Sequence, residues 1–143
     1  MDDAVLHALL QRAKVVAVIG ANDRAGRPVD RVGRYLIHAG YTVIPVHPVR
    51  ETVWGLPCYP ELGAIEIPVD IVNVFRAAQY CAEHTRQALQ LHPRPGLFWM
   101  QLGIESPEAE GLLFAAGMPC VQNACLMLEH MRLMGKNDRE QHG

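Results

Sequence analysis

The feature that most constrains the fold is a series of short apolar runs separated by segments with helical periodicity. The runs are rich in β-branched residues and almost free of charge, which is typical of strands buried on both faces of a parallel sheet. We predict strands over residues 14–19, 42–46, 70–74, 97–100 and 119–122. Parallel strands need long crossover connections, and the segments between these runs are of suitable length to supply them as helices.

The intervening segments predict helices at residues 4–14, 31–39, 78–91, 106–116 and 126–134. Ser106 is expected to cap the fourth of these, with Pro107 at its first position and Gly40 ending the second. Residues 51–65 predict an irregular connection with one helical turn near 60–64. The pattern therefore indicates an α/β fold: a Rossmann-like, doubly wound parallel sheet of five strands in a single domain over residues 1–135. We expect residues 136–143 to form a polar C-terminal tail.

Composition excludes several classes of protein. Half of the 143 residues are hydrophobic and 20% are charged, which excludes intrinsic disorder. Thirteen Lys and Arg against 15 Asp and Glu argue against a nucleic-acid partner. The N-terminus has no secretory signal, and no apolar run is long enough for a membrane span. The four cysteines form no C-x-x-C pair and no zinc pattern. We therefore expect a cytoplasmic protein with free thiols and no metal.

The first strand exit carries the strongest candidate binding loop. In open α/β sheets, ligands bind beyond the carboxyl ends of the strands. The loop after the first strand, GANDRAGRP, offers a sharp turn at Gly20 and backbone N–H groups ahead of a helix, which suit a phosphate. Its glycines at 20, 26 and 33 do not follow the G-x-G-x-x-G spacing of dinucleotide-binding proteins. Arg27 adds a cation beside the turn.

The second exit, VHPVR, lacks the carboxylate that usually binds the ribose of NAD. Arg50 stands there instead and would suit a ligand with a further phosphate near its ribose, while His47 and Pro48 flank it. The third and fourth exits place an aromatic ring, a cation, an amide and a glycine at the same edge of the sheet. These residues are Phe75, Arg76, Gln101 and Gly103.

In order along the chain, these stretches resemble a known family, the small stand-alone CoA-binding proteins related to the N-terminal domain of the succinyl-CoA synthetase alpha subunit. The matching stretches include VAVIGANDRAGRP, VDIVNVFRAA and FWMQLGIESPEAEGLLFAAGMPC, and the resemblance covers about residues 14–134. It implies three groups of contacts with CoA. Gly20, Ala21, Asn22, Arg27 and Pro28 would surround the pyrophosphate; His47, Pro48 and Arg50 would meet the adenosine 3′-phosphate; Phe75, Arg76, Gln101 and Gly103 would line the path of the pantetheine.

The chain departs from this family at two places. His47 stands where the family usually has asparagine before the proline, and Asn123-Ala124-Cys125 replaces a usual Asp-Arg-Cys. Cys125 lies ahead of a predicted helix whose N-terminus favours a thiolate, which makes it a possible reactive thiol. Met127, Met131 and Met134 lie at the spacing of a packed helix face, which predicts a core position for them.

Three functions stay open on the sequence. The leading one is binding of CoA or an acyl-CoA by a module without complete catalytic machinery, alone, as a homo-oligomer or with a protein partner. The second is an NAD(P)-binding oxidoreductase or sensor, which the glycine spacing and the missing carboxylate disfavour. The third is a redox protein that forms a mixed disulfide with CoA through Cys125.

Overall fold

The structure, a computed structural model, describes the backbone of residues 1–142 and the side chains of residues 1–135. The strands are β1 (Val15–Ile19), β2 (Thr42–Val46), β3 (Thr52–Val53), β4 (Leu56–Pro57), β5 (Ile71–Val74), β6 (Leu97–Met100) and β7 (Cys120–Val121). The helices are α1 (Asp3–Arg12), α2 (Pro28–His38), α3 (Cys81–Leu89), α4 (Pro107–Ala116) and α5 (Leu126–His142). None of the helices described is long and apolar enough to cross a lipid bilayer.

The five predicted strands form one parallel sheet in the order β2-β1-β5-β6-β7. The chain leaves β1 toward β2 at one edge, then returns to β5 on the other side of β1 and continues outward to β7. Strand order therefore changes direction between β1 and β5. This is the position at which doubly wound sheets open a crevice beyond the strands' carboxyl ends.

Helices cover both faces of the sheet, which confirms the doubly wound prediction. One apolar core joins the sheet to α1, α2 and α5, and the other joins it to α3 and α4. Side chains along β6 alternate between the two, with Trp99 in the first core and Phe98 in the second, both fully buried. The indole N–H of Trp99 donates to the carbonyl of Ala124 at 2.8 Å, which anchors the segment before α5.

The start of α4 and the end of α2 agree with the local signals in the sequence, whereas α2 begins at Pro28, three residues before its predicted start. The Ser106 hydroxyl accepts a hydrogen bond from the Ala109 N–H at 3.1 Å, and Pro107 begins α4. Gly40 directly follows the C-cap residue of α2, and its φ of 100° lies in the left-handed region that favours glycine. These bonds satisfy groups that a helix end otherwise leaves unpaired.

The connection after β2 is more ordered than predicted. Residues 52–57 form a β-hairpin with Trp54 and Gly55 as its two turn residues. Both have positive φ, 55° and 72°, as a tight hairpin turn of this length requires. Trp54 is an unusual residue for such a turn, and tertiary contacts hold it there. Its indole N–H donates to Asp30 at 2.9 Å, and its ring packs over Gly33 of α2.

Four other predictions need correction. The helical turn expected near 60–64 is a 3-10 turn at Leu62–Ala64, and the helix expected from residue 78 begins with a 3-10 turn, Ala78–Tyr80, ahead of α3. Helix α5 continues to His142, beyond the predicted end at residue 134. The core position predicted for Met131 is wrong: its side chain is 45% exposed, because it lies on the outer side of α5. The side chains of the predicted tail, 136–143, lie outside the described residues.

Candidate functional site

A cavity of about 620 Å3 lies at the carboxyl edge of the sheet, at the change in strand order between β1 and β5. The first turns of α2 and α5 form two of its walls, and the loops after β1, β5 and β6 complete it. The lining residues are Gly20, Asn22, Arg27, Pro28, Val29, Arg31, Val32, Phe75, Arg76, Ala77, Gln101, Leu102, Ile104, Cys125, Met127 and Leu128. A volume of this size is typical of a small-molecule site.

Gly20 lets the exits of β1 and β5 approach each other closely. Its φ is 83°, and a Cβ atom placed there would lie 2.5 Å from the carbonyl oxygen of Phe75. Backbone bonds hold it in place: its N–H donates to Val46 at 3.0 Å, and the Phe75 N–H donates to Ile19 at 2.9 Å. Only a residue without a side chain fits between these strand ends.

The β1 and β5 side of the cavity is cationic. Arg27 occupies the N-cap position of α2 and Arg31 follows in its first turn, while Arg76 comes soon after β5. The Arg76 guanidinium lies 4.3 Å from the centroid of the Tyr80 ring, which supports it from one side. The N-terminus of α2, with two guanidinium groups beside it and a third at the β5 exit, forms a suitable site for an anion.

Gln101 fixes the position of α5 as well as lining the cavity. Its side chain is 4% exposed. Its Oε1 accepts hydrogen bonds from Asn73 Nδ2 and from the Leu126 N–H, both at 3.3 Å. The amide thus links β5, the exit of β6 and the first residue of α5. This places the α5 wall at a defined distance from the arginines.

Two residues predicted to bind the ligand do not line the cavity. Ala21 is fully buried in the core, and its N–H donates to Val46 at 3.2 Å. Gly103 is exposed, and its N–H donates to the Asn123 side chain at 2.8 Å. Both shape the loops around the cavity without facing it.

His47, Pro48 and Arg50 also lie outside the lining, at the exit of β2. His47 Nδ1 accepts hydrogen bonds from the N–H groups of Val49 and Arg50, at 3.1 and 3.3 Å, which requires a neutral imidazole. Partial burial and the nearby Arg50 and Arg76 guanidinium groups lower the pKa of His47. His47 is therefore a turn-forming residue that sets the position of Arg50.

Asp23, which the sequence did not single out, connects the first two exits. Its carboxylate accepts a hydrogen bond from Arg50 Nη1 at 2.9 Å and another from the Trp54 N–H at 3.3 Å. Arg50 Nη2 also reaches Asn22 Oδ1 at 3.4 Å. The β1 loop, the β2 exit and the hairpin therefore form one polar network beside the cavity.

Cys125 faces the cavity directly before the first residue of α5, as the sequence predicted. Burial raises the pKa of Cys58 and Cys81, and raises that of Cys120 to about 11 with smaller contributions from Glu110 and Cys81. These three thiols are therefore poor nucleophiles at neutral pH. Among the described side chains, no group of three or more His, Cys, Asp or Glu is placed to hold a metal ion.

The apolar wall of the cavity was missed by sequence reasoning. Leu102 and Ile104 follow β6, and Met127 and Leu128 belong to the first turn of α5. Leu102 is 64% exposed and Leu128 is 54% exposed. The available signal was an apolar residue, Leu102, directly after Gln101 in a strand-exit loop, where polar residues are the rule.

Comparison with known proteins identifies the family. A family model described as "CoA binding domain" matches residues 14–131, most of the chain. The chain belongs to the CoA-binding domain family. The family resemblance inferred from the exit loops is thereby confirmed, together with the Rossmann-like fold.

The chain is also similar to individual proteins of known sequence or structure. A solved structure from Thermus thermophilus, "cell-free ID.343", is 42% identical with a TM-score of 0.87, and the match covers 93% of this chain and 99% of that one. The Bacillus subtilis protein YneT is 32% identical over 127 residues, 89% of this chain and 93% of YneT. An ADP-forming acetate–CoA ligase from Archaeoglobus fulgidus is 36% identical over 61 residues, which are 43% of this chain and 9% of the ligase.

Proposed function

We propose that this member of the family binds coenzyme A, free or as an acyl thioester, across the carboxyl edge of the sheet. The observation that carries the proposal is the cavity between the first turns of α2 and α5, with arginines on one side and apolar residues on the other. CoA has a matching distribution of charge, with a phosphorylated nucleotide at one end and a largely uncharged pantetheine arm at the other.

Strand order suggests how the ligand lies. The exits follow one another as β2, β1, β5, β6 and β7 across the edge. We place the adenosine 3′-phosphate beside the β2 exit, the pyrophosphate at the β1 loop and α2, and the pantetheine along the exits of β5 and β6. The thiol end would then lie near Cys125.

Arg50 is our candidate for the 3′-phosphate. It is paired with Asp23, but both side chains are partly exposed, and such pairs are worth only about 0.2–1 kcal/mol. A charged hydrogen bond to a phosphate contributes about 1.5–3 kcal/mol. The phosphate therefore competes well for this guanidinium group, with Asp23 keeping the side chain in position when the ligand is absent.

A binding module fits the cavity better than an enzyme does. Among the described residues that line it, none has a carboxylate, imidazole, amine or hydroxyl side chain. The usual groups for general acid–base catalysis are thus missing from this lining. The Cys125 thiol is the lining group that could act as a nucleophile, and its role in thiol chemistry with CoA is a separate proposal.

The test is a thermal shift and titration calorimetry panel with CoA, acetyl-CoA, dephospho-CoA, NAD, NADP and ATP. CoA at a hundredfold excess over its dissociation constant should stabilise the fold by about 2.7 kcal/mol. Arg27→Ala should weaken CoA by about 1.5–3 kcal/mol. The matched control is Arg24→Ala, an exposed arginine of the same loop that does not line the cavity. Stabilisation by NAD with none by CoA would overturn the proposal.

A further inference from the structure

We infer that the preferred ligand is an acyl-CoA whose acyl group is apolar and uncharged, held between the β6 exit and α5. The inference rests on the proposed function and assigns a site for the part of the ligand beyond the sulfur atom. Its basis is the unequal distribution of charge within the cavity, together with exposed leucines at its far end.

The two sides of the cavity differ in chemistry. The three arginines that line it, Arg27, Arg31 and Arg76, belong to α2 and the β5 exit. The β6 exit and the first turn of α5 contribute Leu102, Ile104, Cys125, Met127 and Leu128, with no charged side chain among them. An anionic group is therefore stabilised at one end, whereas the other end favours a hydrocarbon.

In the proposed arrangement, the exposed leucines lie beyond the thiol of the ligand. Cys125 and Leu128 are three residues apart at the start of α5, so they share one face of the helix. If the sulfur of the ligand lies beside Cys125, Leu128 is the next surface that the ligand meets. Leu128 is 54% exposed and Leu102, across the cavity, is 64% exposed. An apolar acyl chain between them would remove both from water, which free CoA does not do.

The position of α5 makes this site rigid. The Leu126 N–H is bonded to the buried Gln101 amide, and the Trp99 indole holds the Ala124 carbonyl on the preceding segment. These hydrogen bonds fix the position of the helix turn that bears Met127 and Leu128 relative to the β6 exit, where Leu102 lies. A preformed apolar wall lowers the ordering cost of binding a hydrocarbon.

The chemistry also predicts which acyl groups are rejected. A terminal carboxylate, as in succinyl-CoA, would lie against leucine and methionine with no cation among the lining residues on that side. Even partial removal of an unpaired charge from water is costly. Butyryl-CoA, which has the same number of acyl carbons and no charge, is the matched ligand for comparison.

Calorimetric titration of CoA, acetyl-, butyryl-, hexanoyl- and succinyl-CoA tests the inference. Complete burial contributes about fourfold in affinity per methylene, the equivalent of about 0.8 kcal/mol. Because the leucines are only partly enclosed, we expect about twofold per methylene, and hence roughly tenfold or more from acetyl- to hexanoyl-CoA. Succinyl-CoA should bind at least about tenfold more weakly than butyryl-CoA.

Two variants and a control locate the effect. Leu128→Ser and Leu102→Ser should flatten the dependence of affinity on acyl chain length, and any loss for CoA itself, whose pantetheine arm passes the β6 exit, should be smaller than the loss for hexanoyl-CoA. Phe114→Ser removes an apolar side chain that is 87% exposed on α4, outside this cavity, and should leave the dependence unchanged.

Equal affinities for acetyl-, hexanoyl- and succinyl-CoA, with CoA bound normally, would overturn this inference and leave the proposed function standing. The inference also fails if Leu128→Ser changes the oligomeric state without changing acyl selectivity, because the leucines then cover a second copy of the chain. Failure to bind CoA or any of its thioesters overturns the proposed function and this inference together.

Discussion

Replacement of Gly20 by alanine tests the closest contact between the strand exits around the cavity. The new Cβ atom would lie 2.5 Å from the Phe75 carbonyl oxygen and 3.1 Å from its carbon. Neither backbone moves freely, since the Gly20 and Phe75 N–H groups are both bonded to neighbouring strands. The substitution must therefore widen the sheet edge between β1 and β5 or bend the loop.

The expected cost has two parts. Alanine at a φ of 83° costs about 1–2 kcal/mol relative to glycine, offset by about 0.4–1 kcal/mol from the stiffer unfolded chain. Steric overlap in a packed region adds about 1–3 kcal/mol. We expect Gly20→Ala to lower the free energy of unfolding by about 2–4 kcal/mol, which leaves a typical domain folded.

Gly26→Ala is a matched control in the same loop. Gly26 has a φ of 86°, and a Cβ atom there would have no heavy atom within 4 Å. Gly26→Ala carries the conformational cost without the steric overlap, so it should lower the free energy of unfolding by about 1 kcal/mol. Urea denaturation of both variants measures the difference, with thermal melting as a second readout. Losses that agree within about 0.5 kcal/mol would refute the steric reasoning, because that is the usual error of such comparisons.

Three further predictions concern contacts around the site. Gly33→Ala should lower the free energy of unfolding by about 1–3 kcal/mol, because the new methyl group overlaps the Trp54 ring. The loss should largely vanish in a Trp54→Ala background, which a double-mutant cycle measured by urea denaturation would establish. Arg50→Ala should weaken CoA by about 1.5–3 kcal/mol in calorimetry and dephospho-CoA much less, whereas equal losses would refute its assignment to the 3′-phosphate. CoA disulfide should exchange with Cys125 as thiolate, which adds one CoA to the protein and releases one CoA thiolate. Intact-mass spectrometry should detect this adduct in the Cys58→Ser variant but not in the Cys125→Ser variant. An adduct that persists in Cys125→Ser would make Cys125 purely structural.

Local sequence signals were sufficient to predict most of the elements. The apolar runs that became β1, β2, β5 and β6 are short, rich in β-branched or aromatic residues and bounded by glycine or proline. The Ser106–Pro107 pair similarly predicted the start of α4, and Gly40 the end of α2. These signals can be recognised because each depends on backbone preferences and contacts within a few residues. The doubly wound arrangement followed from the alternation of strands and helices.

The hairpin and the cavity depended on contacts between distant parts of the chain. Trp54 adopts a turn conformation that its own preferences disfavour, because Asp30 and Gly33 of α2 provide a partner and a space for its indole. Arg50, recognised as a possible phosphate ligand, is held by Asp23, which is 27 residues away and had no recognisable signal.

Sequence alone determined which residue types stand at the strand exits; tertiary structure decided which of them face one another. The lateral order β2-β1-β5-β6-β7 brings Arg27, Phe75, Gln101 and Cys125 to one cavity and leaves Ala21 in the core. It also brings Leu102 and Leu128 to the same cavity. The physical reason is range: strand and helix preferences act over a few residues, whereas the direction of a side chain at a sheet edge depends on strand order and on the helices packed above it.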